Sequence, residues 1–273
     1  MTVVVRRPAP PLDRLVRAIS YQAGEQPKAS VEKILPGPSA SLWINLNRDE
    51  FRSFSGGVTK SVPGVMLAGP SGRAAVIEFE QGRAHVSVAF ALGAASSFLT
   101  LPLAAARDEL VPLEWLWGPP GAGLREQLLA AQTPAGTLRV MEDVLLKHVA
   151  GPLVPDPAVV AAARELSGGV PVAEVASGLG MLPRTLRRRF AAHVGLTPKR
   201  FARVQRLRRV VRSLDGHCQA DWAAIAAAHG YADQPHLADE FRDLIDVTPA
   251  EYLRSRVNGP NHLRFPSQGR VPV

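Results

Sequence analysis

The chain of 273 residues has a single cysteine, Cys218, and that scarcity closes off two kinds of chemistry. No intramolecular disulfide can form, and no zinc site built from several thiolates is available. Histidine is thin as well. Between residues 12 and 118 only His85 occurs, too little for a metal centre of several imidazoles and a carboxylate. Neither a metal nor another cofactor is expected. Long apolar runs are also missing. None approaches the ~18 residues of a membrane-spanning helix, and the opening MTVVVRRPAPPLDRL lacks the apolar stretch of a signal peptide. A cytoplasmic chain with no membrane partner is the expectation. The most informative gap is one of sign: between residues 183 and 212 there are eleven Arg or Lys and not one Asp or Glu.

Hydrophobic residues make up 46% of the chain, enough for real cores, and the net charge of +8 points to a polyanionic partner. Residues 1–11, basic and Pro-rich, read as a flexible arm. Residues 12–118 read as a β-rich domain, with strands expected at 31–35, 41–46, 64–68, 74–79 and 84–89 and a hairpin at Gln81-Gly82-Arg83. Short strands at this spacing favour a barrel or sandwich, whose mouth can hold a ligand. Trp43, Arg73, His85, Trp115 and Trp117 are the candidate effector-pocket residues, although aromatics and a lone histidine in a small β domain also serve as core. Residues 119–150 form a helical hairpin, with Leu124, Leu128 and Leu129, then Leu138, Met141, Leu145 and Leu146, at helical spacing around a break at Thr133-Pro134. It packs on the β domain or pairs with a second copy, so monomer and homodimer both stay open. Residues 151–170 are a linker containing a short helix capped by Asp156 and ended by Ser167-Gly168-Gly169. Residues 257–273 read as a disordered tail.

Residues 171–256 hold one pattern twice. VAEVASGLGMLPRTLRRRFAAHVGLTPKRF is echoed by WAAIAAAHGYADQPHLADEFRDLIDVTPAEYL. Leu186, Phe190, Thr197 and Pro198 recur as Leu237, Phe241, Thr248 and Pro249 at an offset of 51, and Val175, Ala176 and Gly180 recur as Ile225, Ala226 and Gly230 at 50. The one-residue slip falls in a turn, where insertions are tolerated. Each copy is an apolar helix, a Gly-containing turn and a second helix: a helix-turn-helix. On the second helix of the first copy, Leu186 and Phe190 face inward while Arg184, Arg187 and Arg188 share the outer face. Such a helix suits the major groove, where an arginine forks onto guanine O6 and N7. Between the copies a basic helix over 198–214 spans about 25 Å, which can set the two outer helices about one DNA turn (~34 Å) apart.

The runs ASGLGMLPRTLRRRF with VGLTP, the long basic helix, and HGYADQPHLADEF with DVTPAEY resemble the AraC-type (AraC/XylS) transcriptional regulators over about residues 171–256. VPLEWLWG followed by LREQLLAA, and later PDPAVVAAARELS, is similar to a subgroup with a cupin-like N-terminal sensory domain. The resemblance implies an α+β chain: an N-terminal β-barrel (cupin-like) domain with flanking helices, then an all-α DNA-binding domain of two helix-turn-helix motifs joined by a long helix. It implies that the second helix of each motif enters one of two consecutive major grooves of double-stranded DNA. The base-reading positions then fall on Arg184, Arg187 and Arg188 in the first copy and on Gln234, His236 and Asp239 in the second. A transcriptional activator or repressor follows, with RNA polymerase and a small-molecule effector open as further partners.

Asp239 departs from the family, whose members commonly carry a basic residue there. From Ser213 to Leu253 eight acids meet one base, Arg242. Acids beside phosphates lose attraction, though an Asp can accept from cytosine N4. Either the second motif reads bases weakly, or it mainly packs and positions the first. Arg189, Lys199, Arg200, Arg203 and Arg206 are placed for phosphates, with Arg242 in reach of another, while Arg208, Arg209 and Arg212 are equally read as a solvated face. Arg203→Ala is then expected to weaken binding to all sequences alike. Two other classes weigh less. A β-barrel enzyme with an accessory DNA-binding domain lacks any Ser/His/Asp or Cys/His constellation and any phosphate-cradling Gly-rich loop. A non-specific architectural DNA binder has no need of two base-reading motifs.

Overall fold

Eleven strands and eleven α-helices are formed by the residues that the computed structural model describes, which are 2–24, 30–55, 58–79, 83–256 and 262–264. The strands are β1 (Thr2–Arg6), β2 (Val16–Gly24), β3 (Ser30–Ile34), β4 (Ser41–Asn45), β5 (Glu50–Ser55) and β6 (Val58–Pro63). After them come β7 (Val65–Ala68), β8 (Ala75–Phe79), β9 (Arg83–Phe90), β10 (Leu110–Pro112) and, from the far end of the chain, β11 (His262–Arg264). They build two antiparallel sheets, in the orders β1-β2-β9-β4-β7-β10 and β11-β3-β8-β5-β6.

Alternation along β4 and β7 explains the layering. Leu42, Ile44, Val65 and Leu67 face the main core, and the residues between them, Trp43 and Met66, face the other way, toward Phe51 and Ile77 of the second sheet. The first sheet is thus covered on one face by helices and on the other by the second sheet. No ladder joins the two sheets among the described residues, so the β domain is a pair of open layers rather than a closed barrel.

The helices are α1 (Leu113–Trp117), α2 (Pro119–Ala122), α3 (Leu124–Leu129), α4 (Pro134–His148), α5 (Pro157–Gly168) and α6 (Val172–Gly178). They continue with α7 (Pro183–Val194), α8 (Pro198–Ser213), α9 (Trp222–Ala228), α10 (Gln234–Ile245) and α11 (Pro249–Ser255). Leu138, Met141 and Leu145 of α4 complete the main core against the first sheet. Their starts are written in local chemistry: Thr133, Asp156, Thr197 and Thr248 each accept a hydrogen bond from a backbone N–H of the helix that follows, and a proline takes the first turn, where its missing N–H costs nothing. Gly169 and Gly195 end α5 and α7 with φ of 95° and 83°, the left-handed region that favours glycine.

Two expectations are corrected at the chain ends. Residues 2–6 are a strand, not a loose arm. Three consecutive valines favour extended backbone, β1 pairs with β2 along its length, and Arg6 Nε donates to Glu142 of α4 at 2.6 Å. In the expected tail, β11 pairs with β3 and Leu263 is only 1% exposed, because it joins the core of the second motif. Residues 257–261 and 265–273, like Gln81-Gly82 of the expected hairpin, lie outside the described residues. Among those described, no helix is long and apolar enough to cross a membrane.

Candidate nucleic-acid interface

Each motif is a helix pair held by equivalent contacts at the repeat offsets of 50 and 51. In the first, Val175 and Ala176 of α6 pack with Leu186, Phe190 and Val194 of α7, and Phe190 meets Phe201 of α8 edge-on at 5.1 Å. In the second, Ala226 of α9 packs with Leu237, Phe241 and Leu244 of α10, and Phe241 meets Tyr252 of α11 edge-on at 5.9 Å. The turns carry Gly180 and Gly230 at φ of 63° and 74°. The 16 residues of α8 separate the motifs by about 24 Å of helix.

With Leu186, Phe190 and Val194 buried, α7 turns Arg184, Arg187 and Arg188 to solvent. Among the described residues none of the three has a carboxylate partner, so their charge is uncompensated. On α10, Gln234, His236 and Asp239 are exposed. His236 Nδ1 accepts the Ala232 N–H at 3.3 Å, and its ring stands edge-on to Tyr231. Asp239 is 75% exposed and accepts from Arg242 at 2.9 Å, one helical turn away.

Most acids of the second motif, troublesome for a DNA-binding surface, have structural duties. Asp221, Asp233 and Glu251 cap helices. Asp246 lies 3.4 Å from the ammonium of Lys33. Glu240 and Asp243 point toward α8. Glu240, only 4% exposed, accepts from Arg203 at 2.8 Å and from Arg206 at 2.9 Å, and Asp243 accepts from Arg203 at 2.6 Å. Arg203 thereby holds Asp243 below the usual carboxylate range. Burial pulls the Arg203 pKa down, but Glu240 and Asp243 outweigh it and raise the guanidinium above its ordinary value. The Arg206 guanidinium also lies over the Tyr231 ring, 4.4 Å from its centre, and burial raises the Tyr231 hydroxyl well above a normal phenol.

These contacts change the picture of the residues expected at phosphates. Arg203 and Arg206 are engaged by Glu240. Arg200 donates to Gly72 O at 2.8 Å, Arg242 is held by Asp239, and Arg189 forks onto Asp156 with bonds of 2.5 and 2.9 Å. Burial pushes Asp156 up, but Arg189 and the N–H groups of Val159 and Ala158 outweigh it and keep the carboxyl low. Of the six, Lys199 alone is exposed with no partner among the described residues. The inward acids are the feature that sequence reasoning missed.

The five effector-pocket residues do not converge. Trp43 and His85 stack at 5.2 Å on the sheet face turned toward the second sheet. Trp117 stacks on His148 and donates to Phe98 O at 2.9 Å, Trp115 is 75% exposed, and Arg73 is exposed on the loop between β7 and β8. An open cleft of about 230 Å³ lies elsewhere, between Tyr21, Leu46 and Asn47 and the α3–α4 turn at Gln132 and Thr133. No group of three or more His, Cys, Asp or Glu suited to a metal occurs among the described residues.

Comparison with known proteins finds two family profiles. Residues 175–255 match a helix-turn-helix domain, and residues 5–112 match a domain of unknown function, DUF6597. No curated protein matches. Among solved structures, ToxT from Vibrio cholerae is 12% identical, with 86% of this chain and 98% of that one covered and a TM-score of 0.48. Its form bound to an unsaturated fatty acid, from strain SCE256, is 12% identical over 92% and 94% of the two chains, with a TM-score of 0.42. The AraC-like transcriptional activator CuxR is 13% identical over 78% and 87%, with a TM-score of 0.26. By the matched domain and the paired motifs that fill it, residues 175–255 are a helix-turn-helix domain of the AraC type, and residues 5–112 ahead of it match a domain of unknown function.

Proposed function

We infer that the protein reads specific DNA sequences, chiefly through α7, with α10 in the next major groove making a weaker contribution. The observation that carries this is the charge distribution on the two outer helices. Arg184, Arg187 and Arg188 stand exposed on α7 without partners among the described residues, whereas α10 offers Gln234, His236 and an Asp239 already answered by Arg242. An arginine forks onto guanine with about 1–3 kcal/mol of discrimination per pair. The test is a selection of sites from random duplex DNA with the full chain. Two short blocks about one helical turn apart, with more information in one, are expected. A collection of sites without a shared block would refute sequence-specific reading.

Arg203 is assigned to the ion pairs between α8 and α10 rather than to phosphate. Its ion pairs with Glu240 and Asp243 leave little net charge to displace counterions. Each phosphate that a protein ceases to neutralise changes the slope of log affinity against log salt by about 0.9. Arg203→Ala is therefore expected to leave that slope unchanged in a binding titration, while Lys199→Ala flattens it by about one unit. Equal flattening by both would return Arg203 to the DNA backbone.

The N-terminal domain is the place for an effector in this reading. Its cleft of about 230 Å³ falls below the ~300–1,000 Å³ of drug-sized sites, so it suits a small molecule held by Asn47, Gln132 and Thr133 over Leu46 and Leu128.

A further inference from the structure

One loop of the N-terminal domain reaches both helix-turn-helix motifs. Residues 69–74, between β7 and β8, are fastened from behind: Gly69 N donates to Glu109 O at 3.0 Å, Ser71 N to Gly37 O at 2.7 Å and Gly72 N to the Asp108 carboxylate at 2.6 Å. Asp108 N donates back to Pro70 O at 3.1 Å, and Asp108 itself sits at φ 60°. A Cβ on Gly69 would overlap Ala106 O, so the loop is seated without slack. Its other side meets the DNA-binding domain in three places. Pro70 packs against Gly195, the glycine that ends α7, so closely that a Cβ there would collide with the proline ring. Gly72 O accepts from Arg200 in the first turn of α8 at 2.8 Å. Ala74 N donates to Leu244 O in the last turn of α10 at 2.9 Å. Beside it Lys33, with a side chain 7% exposed, donates to Ile245 O at 3.0 Å and so closes the same helix end.

We propose that residues 69–74 are a wedge that fixes the separation of the two outer helices, so that the N-terminal domain sets the block spacing of the DNA site. The wedge grips α7 and α10 at their C-terminal ends, whereas Arg184, Arg187, Gln234 and His236 lie toward the opposite ends. It therefore orients both helices without covering the faces assigned to bases. A change in the β domain that moves the loop moves both helices together. The spacing consequence rests on the DNA reading above; the mechanical role does not.

Pulsed electron-spin distance measurement on the full chain without DNA tests the mechanical role. With Cys218→Ser as background, Arg188→Cys and Asp239→Cys carry nitroxides on α7 and α10. A single narrow distance distribution is expected. Asp108→Gly tolerates the positive φ but removes the acceptor behind the loop, and Gly72→Val drives Arg200 away; each is expected to broaden or shift the distribution. If Gly72→Val fails to fold, Asp108→Gly decides, since it leaves every residue that the loop touches in the DNA-binding domain intact. An unchanged distribution in a folded Asp108→Gly chain overturns the wedge. In a parallel site selection, Asp108→Gly is expected to accept blocks at two or three spacings where the parent accepts one. Loosened helices together with no selected motif in the parent would overturn the DNA reading and its spacing consequence, not the wedge's grip. Loosened helices with an unchanged spacing preference would overturn the spacing role.

Discussion

Glu240→Ala is expected to destabilise the chain by about 3 kcal/mol, as removal of one partner from a buried ion pair does. Glu240 lies in the apolar stripe of α10, 4% exposed, and is the acceptor that Arg203 and Arg206 of α8 share. Without it two neighbouring guanidiniums of α8 are left side by side against α10, and Arg206, whose Nε is already buried without a bond among the described residues, has little besides the Tyr231 ring and Gly230 O to answer its charge. Asp243 would still hold Arg203, and both arginines reach solvent in part, which keeps the cost at the lower end of the range. Glu240→Gln keeps the shape and should lose about half as much. A double replacement, Glu240→Met with Arg206→Met, should recover much of the loss, because a well-packed apolar substitute needs no counter-ion. Denaturant unfolding of the full chain reads all three. A loss below about 0.5 kcal/mol for Glu240→Ala would mean that the pairs behave as solvated surface bridges.

That same residue marks the line between what the sequence discloses and what it withholds. The repeat is legible because each copy spells out local chemistry: a Thr-Pro helix start, a glycine at positive φ, and Leu and Phe at i and i+4. The exposed arginines of α7 follow from that spacing alone. The acids of the second motif do not, because a carboxylate on α10 looks the same in one dimension whether it faces DNA or α8. One signal was present: Leu237, Glu240, Phe241 and Leu244 share a helical stripe, and an acid there is buried and in want of a cation. Among the strands, β4, β7, β8 and β9 declare themselves by apolar content, whereas β5 and β6, with EFRSFS and VTKSVP, are half polar and become strands through pairing. β11 takes its ladder from β3, more than two hundred residues away, and no local pattern foretells it. Residues 69–74, Gly-Pro-Ser-Gly-Arg-Ala, read as any surface turn. Their role comes wholly from what the fold places opposite them.

Replacing Arg184, Arg187 and Arg188 together by alanine is expected to reduce binding of the selected site to the level of random duplex DNA, a drop of roughly a thousandfold or more. Specific sites exceed non-specific DNA by about 4–10 kcal/mol, and three base-reading arginines at about 1–3 kcal/mol each supply most of such a gap. The fold should be indifferent to the change: all three side chains are exposed and lack partners among the described residues, and substitutions of that kind usually stay within about 0.5 kcal/mol. Loss of function with retained stability separates this variant from Glu240→Ala. The corresponding replacement of Gln234, His236 and Asp239 should cost less, since it removes no unpaired cation and Asp239→Ala releases Arg242 toward the phosphates. Titration against selected and random duplexes at two salt concentrations distinguishes the two roles. Weakening confined to the selected site assigns the arginines to bases. Equal weakening on both duplexes, with the salt slope flattened by about three units, would assign them to phosphates and leave the protein's sequence preference to other residues.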